Sequence, residues 1–160
     1  HSNFEDLYSL MWRATCRLNT FSKGSVMKAK HSGSNYSMEI IREFGRFPIT
    51  VHQNEYWVLV AEVSISRLSL DPENPRLWTQ DVNGSLTKAG QKRLQETLTT
   101  GKMASSAAKL RRSMEYHGGQ TDVLWVHKGV VKEGNRRLAQ ARTLNWSSVI
   151  VYIFPDEMPE

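Results

Sequence analysis

Apolar residues recur along this chain at two spacings, and each change of spacing marks an element. Phe4, Leu7, Tyr8, Met11 and Trp12 fall three and four apart. That spacing predicts an amphipathic helix over residues 4–18, with Ser2 and Glu5 placed as a capping box. Residues 20–37, rich in Gly, Ser and Lys, predict a loop, and 38–44 a short helix ended by Gly45. From residue 47 to 63 the pattern turns to strands. Ile49 and Val51 precede polar His52–Glu55, and the run YWVLVAEV is apolar on both faces, so a hairpin with a central second strand is expected. Ile65 and Leu68 lead into Leu70-Asp71-Pro72-Glu73-Asn74-Pro75-Arg76, where the prolines impose an extended, rigid turn. Residues 78–86 predict a loop. Helices follow over 88–100 (Ala89, Leu94, Leu98; Gly101 at C′) and 105–116 (Ala107, Leu110 and Met114 inward; Gly118-Gly119 as the stop). Residues 122–127 form a strand turned by Lys128-Gly129, and Ser148–Phe154 suits a buried strand.

Between those last two strands lies VVKEGNRRLAQARTL, residues 130–144. The pattern predicts a strand over 130–132, a junction at Gly134 and a helix over 135–144. A strand that breaks at glycine and enters a helix leaves the first N–H groups without intrahelical acceptors, at the positive end of the helix dipole. Such a start is an anion site in the making. On a wheel of about 100° per residue, Leu138, Ala141, Leu144 and Arg137 share the sheet-facing side, while Arg136 turns towards solvent. Two arginines in a first turn oppose the dipole, which an anion would offset. Solvation of both side chains, or pairing with Glu133, accounts for them equally well at this stage.

The segment EGNRRLAQARTLNW resembles the signature of the ParB/sulfiredoxin superfamily, in which a strand, a short glycine motif ending in arginine and a helix follow one another. ParB proteins carry Gly-Glu-Arg-Arg there, free-serine kinases Asp-Gly-His-His-Arg and sulfiredoxin Gly-Cys-His-Arg. Gly134 and Arg137 match all three patterns, Arg136 the ParB form, and Glu133 the acid of the kinase form; Asn135 matches none. SRLSLDPENPR resembles the first ParB motif and precedes the signature, as in that family. The resemblance spans about residues 58–155. It implies a compact mixed α/β domain over 55–160; residues 1–54 lie outside the resemblance, and their own pattern reads as an extension made of a helix, a polar loop and the start of a hairpin.

The resemblance also implies chemistry. Family members bind a nucleoside triphosphate, CTP or ATP, usually with Mg²⁺, and act as nucleotide hydrolases, nucleases or small-molecule kinases. Carried over by position, Gly134, Asn135, Arg136, Arg137, Asn74 and Arg76 would hold phosphate, and Glu133 and Glu73 would do base work or meet the metal. Because Asn135 stands where sulfiredoxin keeps its cysteine, that enzyme's thiolate chemistry is disfavoured. Site-specific DNA reading in ParB proteins uses a helix-turn-helix region downstream of the signature, which the 160 residues do not include. The expected function is a nucleotide-binding domain that hydrolyses nucleotide or acts on DNA. The rival is an inactive module for nucleic acid or for a protein partner, the latter docking through the helix at 4–18.

Composition narrows this further. Apolar residues make up 39% and charged residues 23%, with net charge +5, a globular profile with a basic bias towards polyanions. Lys109, Arg111 and Arg112 on the second predicted helix could meet DNA phosphates without sequence preference, although Arg111 and Glu115 also form a standard i,i+4 pair. Cys16 is the single cysteine and the five histidines are dispersed. Neither a disulfide nor a dedicated metal site is therefore expected. No Walker glycine loop or nucleophile elbow is present. With no membrane-length apolar run and no signal peptide, the expected setting is cytoplasmic.

Overall fold

A computed structural model describes residues 34–74 and 86–159. The helix expected at 4–18, most of the loop at 20–37, Arg76, and all of 78–86 but Leu86 lie outside the described residues. The elements run β1 (Arg42–Val51), β2 (Asn54–Ser64), β3 (Ser69–Leu70), α1 (Lys88–Thr99), α2 (Ala104–His117), β4 (Leu124–His127), β5 (Val130–Glu133), α3 (Asn135–Thr143) and β6 (Ser148–Phe154). This is a mixed α/β fold. Its six-stranded sheet has the order β1-β2-β6-β4-β5-β3. Pairing is antiparallel for β1–β2, β2–β6 and β4–β5, and parallel for β4–β6 and β3–β5.

The hairpin extends beyond the expected 47–63. Residues 42–44 are strand rather than helix, with Arg42 opposite Glu62 and Ile41 N–H donating to the Glu62 carbonyl at 2.8 Å. The three-and-four spacing of MEIIREF is outweighed because β2 offers a full ladder and Met38 and Ile40 bury in the same core. The expected division at residue 54 runs through this hairpin, and β1 belongs to the same sheet as the rest.

Side chains alternating along β2 and β6 send Leu59, Ala61, Val63, Val149, Val151 and Ile153 to one face, where the three helices lie. Leu94 and Leu98 of α1, Met114 of α2 and Leu138 of α3 close that core, each at most 2% exposed. Burying one such side chain contributes about 1.5–3 kcal/mol. In α1 the inward small residue is Gly90 rather than Ala89, which is exposed. Thr87 caps α1, its Oγ1 accepting from Gly90 N–H at 3.2 Å. Gly118, in the left-handed region, ends α2. The opposite face of the sheet carries aromatic pairs, Phe47 against Tyr152 at 5.1 Å and Trp125 against Phe154 at 5.7 Å.

Parallel pairing of β3 with β5 is what positions the site. Ser69 lies opposite Val130 and Leu70 opposite Val131, so both strands finish at the same end of the sheet. The turn after β3 and the start of α3 therefore come together, although 64 residues separate Asp71 from Asn135. In open α/β sheets, crevices for ligands form outside the carboxyl ends of strands.

Candidate functional site

β5 ends at Glu133, Gly134 turns the chain, and α3 begins at Asn135. Gly134 has φ 97° and ψ 18°, and a Cβ there would collide with Leu124 Cδ2. Both the backbone angle and the packing therefore demand glycine. As the helix N-cap, Gly134 also brings no side chain to the first turn, in contrast to Thr87 at α1. The first intrahelical bond runs from Leu138 N–H to the Gly134 carbonyl at 3.0 Å. Hence the N–H groups of Asn135, Arg136 and Arg137 have no intrahelical acceptor.

In front of this start lies a cleft of about 420 Å³, bounded by Asn74, Leu110, Lys132, Glu133, Gly134, Asn135, Arg136 and Arg137. Its size falls within the range of small-molecule sites. The structure thus brings the signature together with Asn74 of the proline turn. Glu73 is exposed on that turn and is not among the residues bounding the cleft. Arg76 lies outside the described residues.

Asn135 is 4% exposed, and its side-chain amide is committed to the backbone. Oδ1 accepts from Asp71 N–H at 2.9 Å, and Nδ2 donates to the Val131 carbonyl at 2.7 Å. The side chain ties the end of β3, strand β5 and the helix start into one unit; what Asn135 offers the cleft is its backbone N–H. Sequence reasoning missed this stitch. An asparagine just after a glycine at a strand–helix junction was the available signal.

Arg137 keeps to the apolar, sheet-facing side that the wheel gives it, beside Met114, Leu124, Ala141 and Val149, whereas Arg136 departs from the wheel's expectation. Arg136, turned towards solvent on the wheel, is half-buried on the cleft wall beside Leu110, because α2 packs over that side of α3. Its Nε, like that of Arg137, is buried without a hydrogen-bond partner, and no carboxylate among the described residues pairs with Arg136. Arg137 is held by an ion pair with Asp122, Nη2 to Oδ2 at 2.6 Å, with side chains 35% and 47% exposed. Lys132 Nζ stands 3.9 Å from Asp71 Oδ2. Asp71 is itself buried and caps its own turn, Oδ1 accepting from Glu73 N–H at 3.0 Å.

On α2, Lys109 and Arg112 are exposed and Arg111 is half-buried. The expected Arg111–Glu115 ion pair does not form. The three helices together carry nine Lys and Arg against two Glu, whereas the other described residues carry six against ten Asp and Glu. Among the described residues the positive excess therefore lies wholly in the helical layer, the layer that includes the α3 side of the cleft.

No group of three or more His, Cys, Asp or Glu among the described residues could hold a metal ion, and no helix among them is long and apolar enough to cross a membrane. Glu133 is the one carboxylate among the described residues that bounds the cleft. Magnesium is usually bound through one or two carboxylates together with substrate phosphates and water, and Glu133 is the residue here that could supply such an oxygen ligand. No family model, curated protein or solved structure matches this chain.

Proposed function

We propose that the cleft at the start of α3 binds the phosphate of a nucleotide, as in the ParB/sulfiredoxin-type domains that its signature segment resembles. One observation carries the reading. A glycine N-cap leaves three helix N–H groups without intrahelical acceptors, and they open on a cleft walled by Lys132, Arg136 and Arg137. Backbone donors suit a phosphate at a helix start, and guanidinium groups add charge-assisted bonds. As an enzyme the domain would rely on Glu133, the carboxylate in the cleft, to orient or deprotonate an attacking water.

A thermal-shift panel of nucleoside mono-, di- and triphosphates, with and without Mg²⁺, tests this. A ligand at a hundredfold excess over its Kd stabilises the fold by about 2.7 kcal/mol. Absence of any shift across the panel at millimolar concentrations would refute nucleotide binding.

The second reading is a nucleic-acid-binding module without turnover, favoured by the concentration of positive charge on the helices. Release of labelled phosphate from a nucleotide distinguishes the two, because a pure binding module releases none.

A further inference from the structure

We infer that the outer face of α2 binds single-stranded nucleic acid, with Tyr116 stacking on a base while Lys109 and Arg112 meet the neighbouring phosphates. This rests on the nucleic-acid reading and gives it its residues; the phosphate reading of the cleft is independent of it. On a wheel of about 100° per residue, Ser105, Lys109, Arg112 and Tyr116 fall within about 60° of one another. They stand opposite Ala107, Leu110 and Met114, which pack inward. All four outward residues are exposed. Neither Lys109 nor Arg112 forms an ion pair among the described residues. Glu115, the one acid of α2, lies to the side of this stripe. Lys109 and Tyr116 are about 10 Å apart along the helix axis. Beside α2 packs α1, with exposed Lys88, Lys92 and Arg93, so the positive layer offered to a polyanion is wider than one helix.

Charge alone would serve any polyanion, and Tyr116 narrows the class. It is 88% exposed, the most exposed large apolar side chain among the described residues. Its ring meets the His117 ring edge-to-face at 5.4 Å. His117 Nδ1–H in turn donates to the Ser113 carbonyl at 2.7 Å, which ties that ring to the backbone. Tyr116 is thus steadied without being covered, and less side-chain freedom is lost when a base stacks on it. Aromatic rings beside cations suit single strands, because every unstacked base has a π-face to offer. In a duplex those faces are covered by neighbouring base pairs, and only phosphate contacts remain for this helix. The partner chemistry is therefore an unpaired polynucleotide, DNA or RNA, held by backbone charge and base stacking without sequence preference.

The test is fluorescence anisotropy of the whole chain with labelled oligo-dT, oligo-rU and a duplex of equal length, across a salt series. A single strand should bind more tightly than the duplex, and the tighter of the two single strands assigns DNA or RNA as the source. Tyr116→Ala should lose at least about fivefold on single strands, the lower end for one base stack, with duplex binding and melting temperature unchanged. Tyr116→Phe keeps the π-face and should retain the affinity. Replacing Lys109 and Arg112 together by alanine should weaken binding of both forms and flatten its salt dependence. A duplex bound as tightly as both single strands would overturn the inference while leaving nucleic-acid binding in place. Unchanged single-strand affinity in Tyr116→Ala would do the same. Absence of binding to every oligonucleotide at low salt would instead remove the nucleic-acid reading itself.

Discussion

Asn135→Ala offers a direct test of how the site is built. The substitution removes both bonds of the side-chain amide, leaving Asp71 N–H and the Val131 carbonyl without their partner. Asp71 is 8% exposed and Val131 fully buried, so water has little access to either group. Each buried polar group left unsatisfied costs about 1–3 kcal/mol. Two of them, softened by local relaxation, give a loss of roughly 3 kcal/mol. That is a large part of the 5–15 kcal/mol typical of a domain. Only two residue pairs join β3 to β5, so little else holds that edge. Urea denaturation would show the midpoint falling with its slope unchanged. Phosphate affinity per folded molecule should stay within about twofold, since bonds already committed to backbone are not available to a ligand. A stability loss below roughly 1 kcal/mol would refute the stitch. A large loss of affinity at unchanged stability would instead put the amide on the ligand.

Other expectations follow the same logic. Gly134→Ala should destabilise by about 2–4 kcal/mol, combining a left-handed backbone cost with overpacking against Leu124, as read by chemical denaturation. Replacing Lys109, Arg111 and Arg112 together by alanine should flatten the salt dependence of oligonucleotide binding by about 0.9 per lost phosphate contact; an unchanged slope would remove α2 from the interface. Burial raises the pKa of Tyr36, whose hydroxyl donates to the Trp57 carbonyl at 2.7 Å. The folded state thus holds the proton more tightly than the unfolded state, so stability should fall as pH rises above about 10. The Tyr36→Phe variant, measured by the same pH series of melting curves, should lack that share of the decline.

Elements whose signals were local are those the sequence disclosed. A continuous apolar run disclosed β6, and glycine the ends of α1 and α2 and the junction at Gly134. The wheel of α3 placed Leu138 and Ala141 correctly, both buried. It misplaced Arg136 because a wheel describes one helix and takes no account of α2 packed beside it. The partners of the site are non-local: Asp122 for Arg137, Asp71 for Lys132, and the Asp71 N–H for Asn135. Nothing in their spacing announces them, and Asp71 reaches Lys132 and Asn135 only through the pairing of β3 with β5. Residues 38–44 show the same limit from the other side. Their helical spacing lost to a strand pairing whose partner lies some twenty residues downstream.

The outer strand β1 has a consequence for behaviour in solution. Among the described residues it ends the sheet on its side, and it is ten residues long. An edge of that length is a template on which a neighbouring molecule could add its own strand. Exposed Pro48 supplies no N–H, and the register shift between Glu43 and Gly45 bends the strand. Arg42 and Glu43 add charge at its start. Proline, bend and charge are the devices by which sheet edges disfavour the addition of a neighbour's strand, and all three stand on β1.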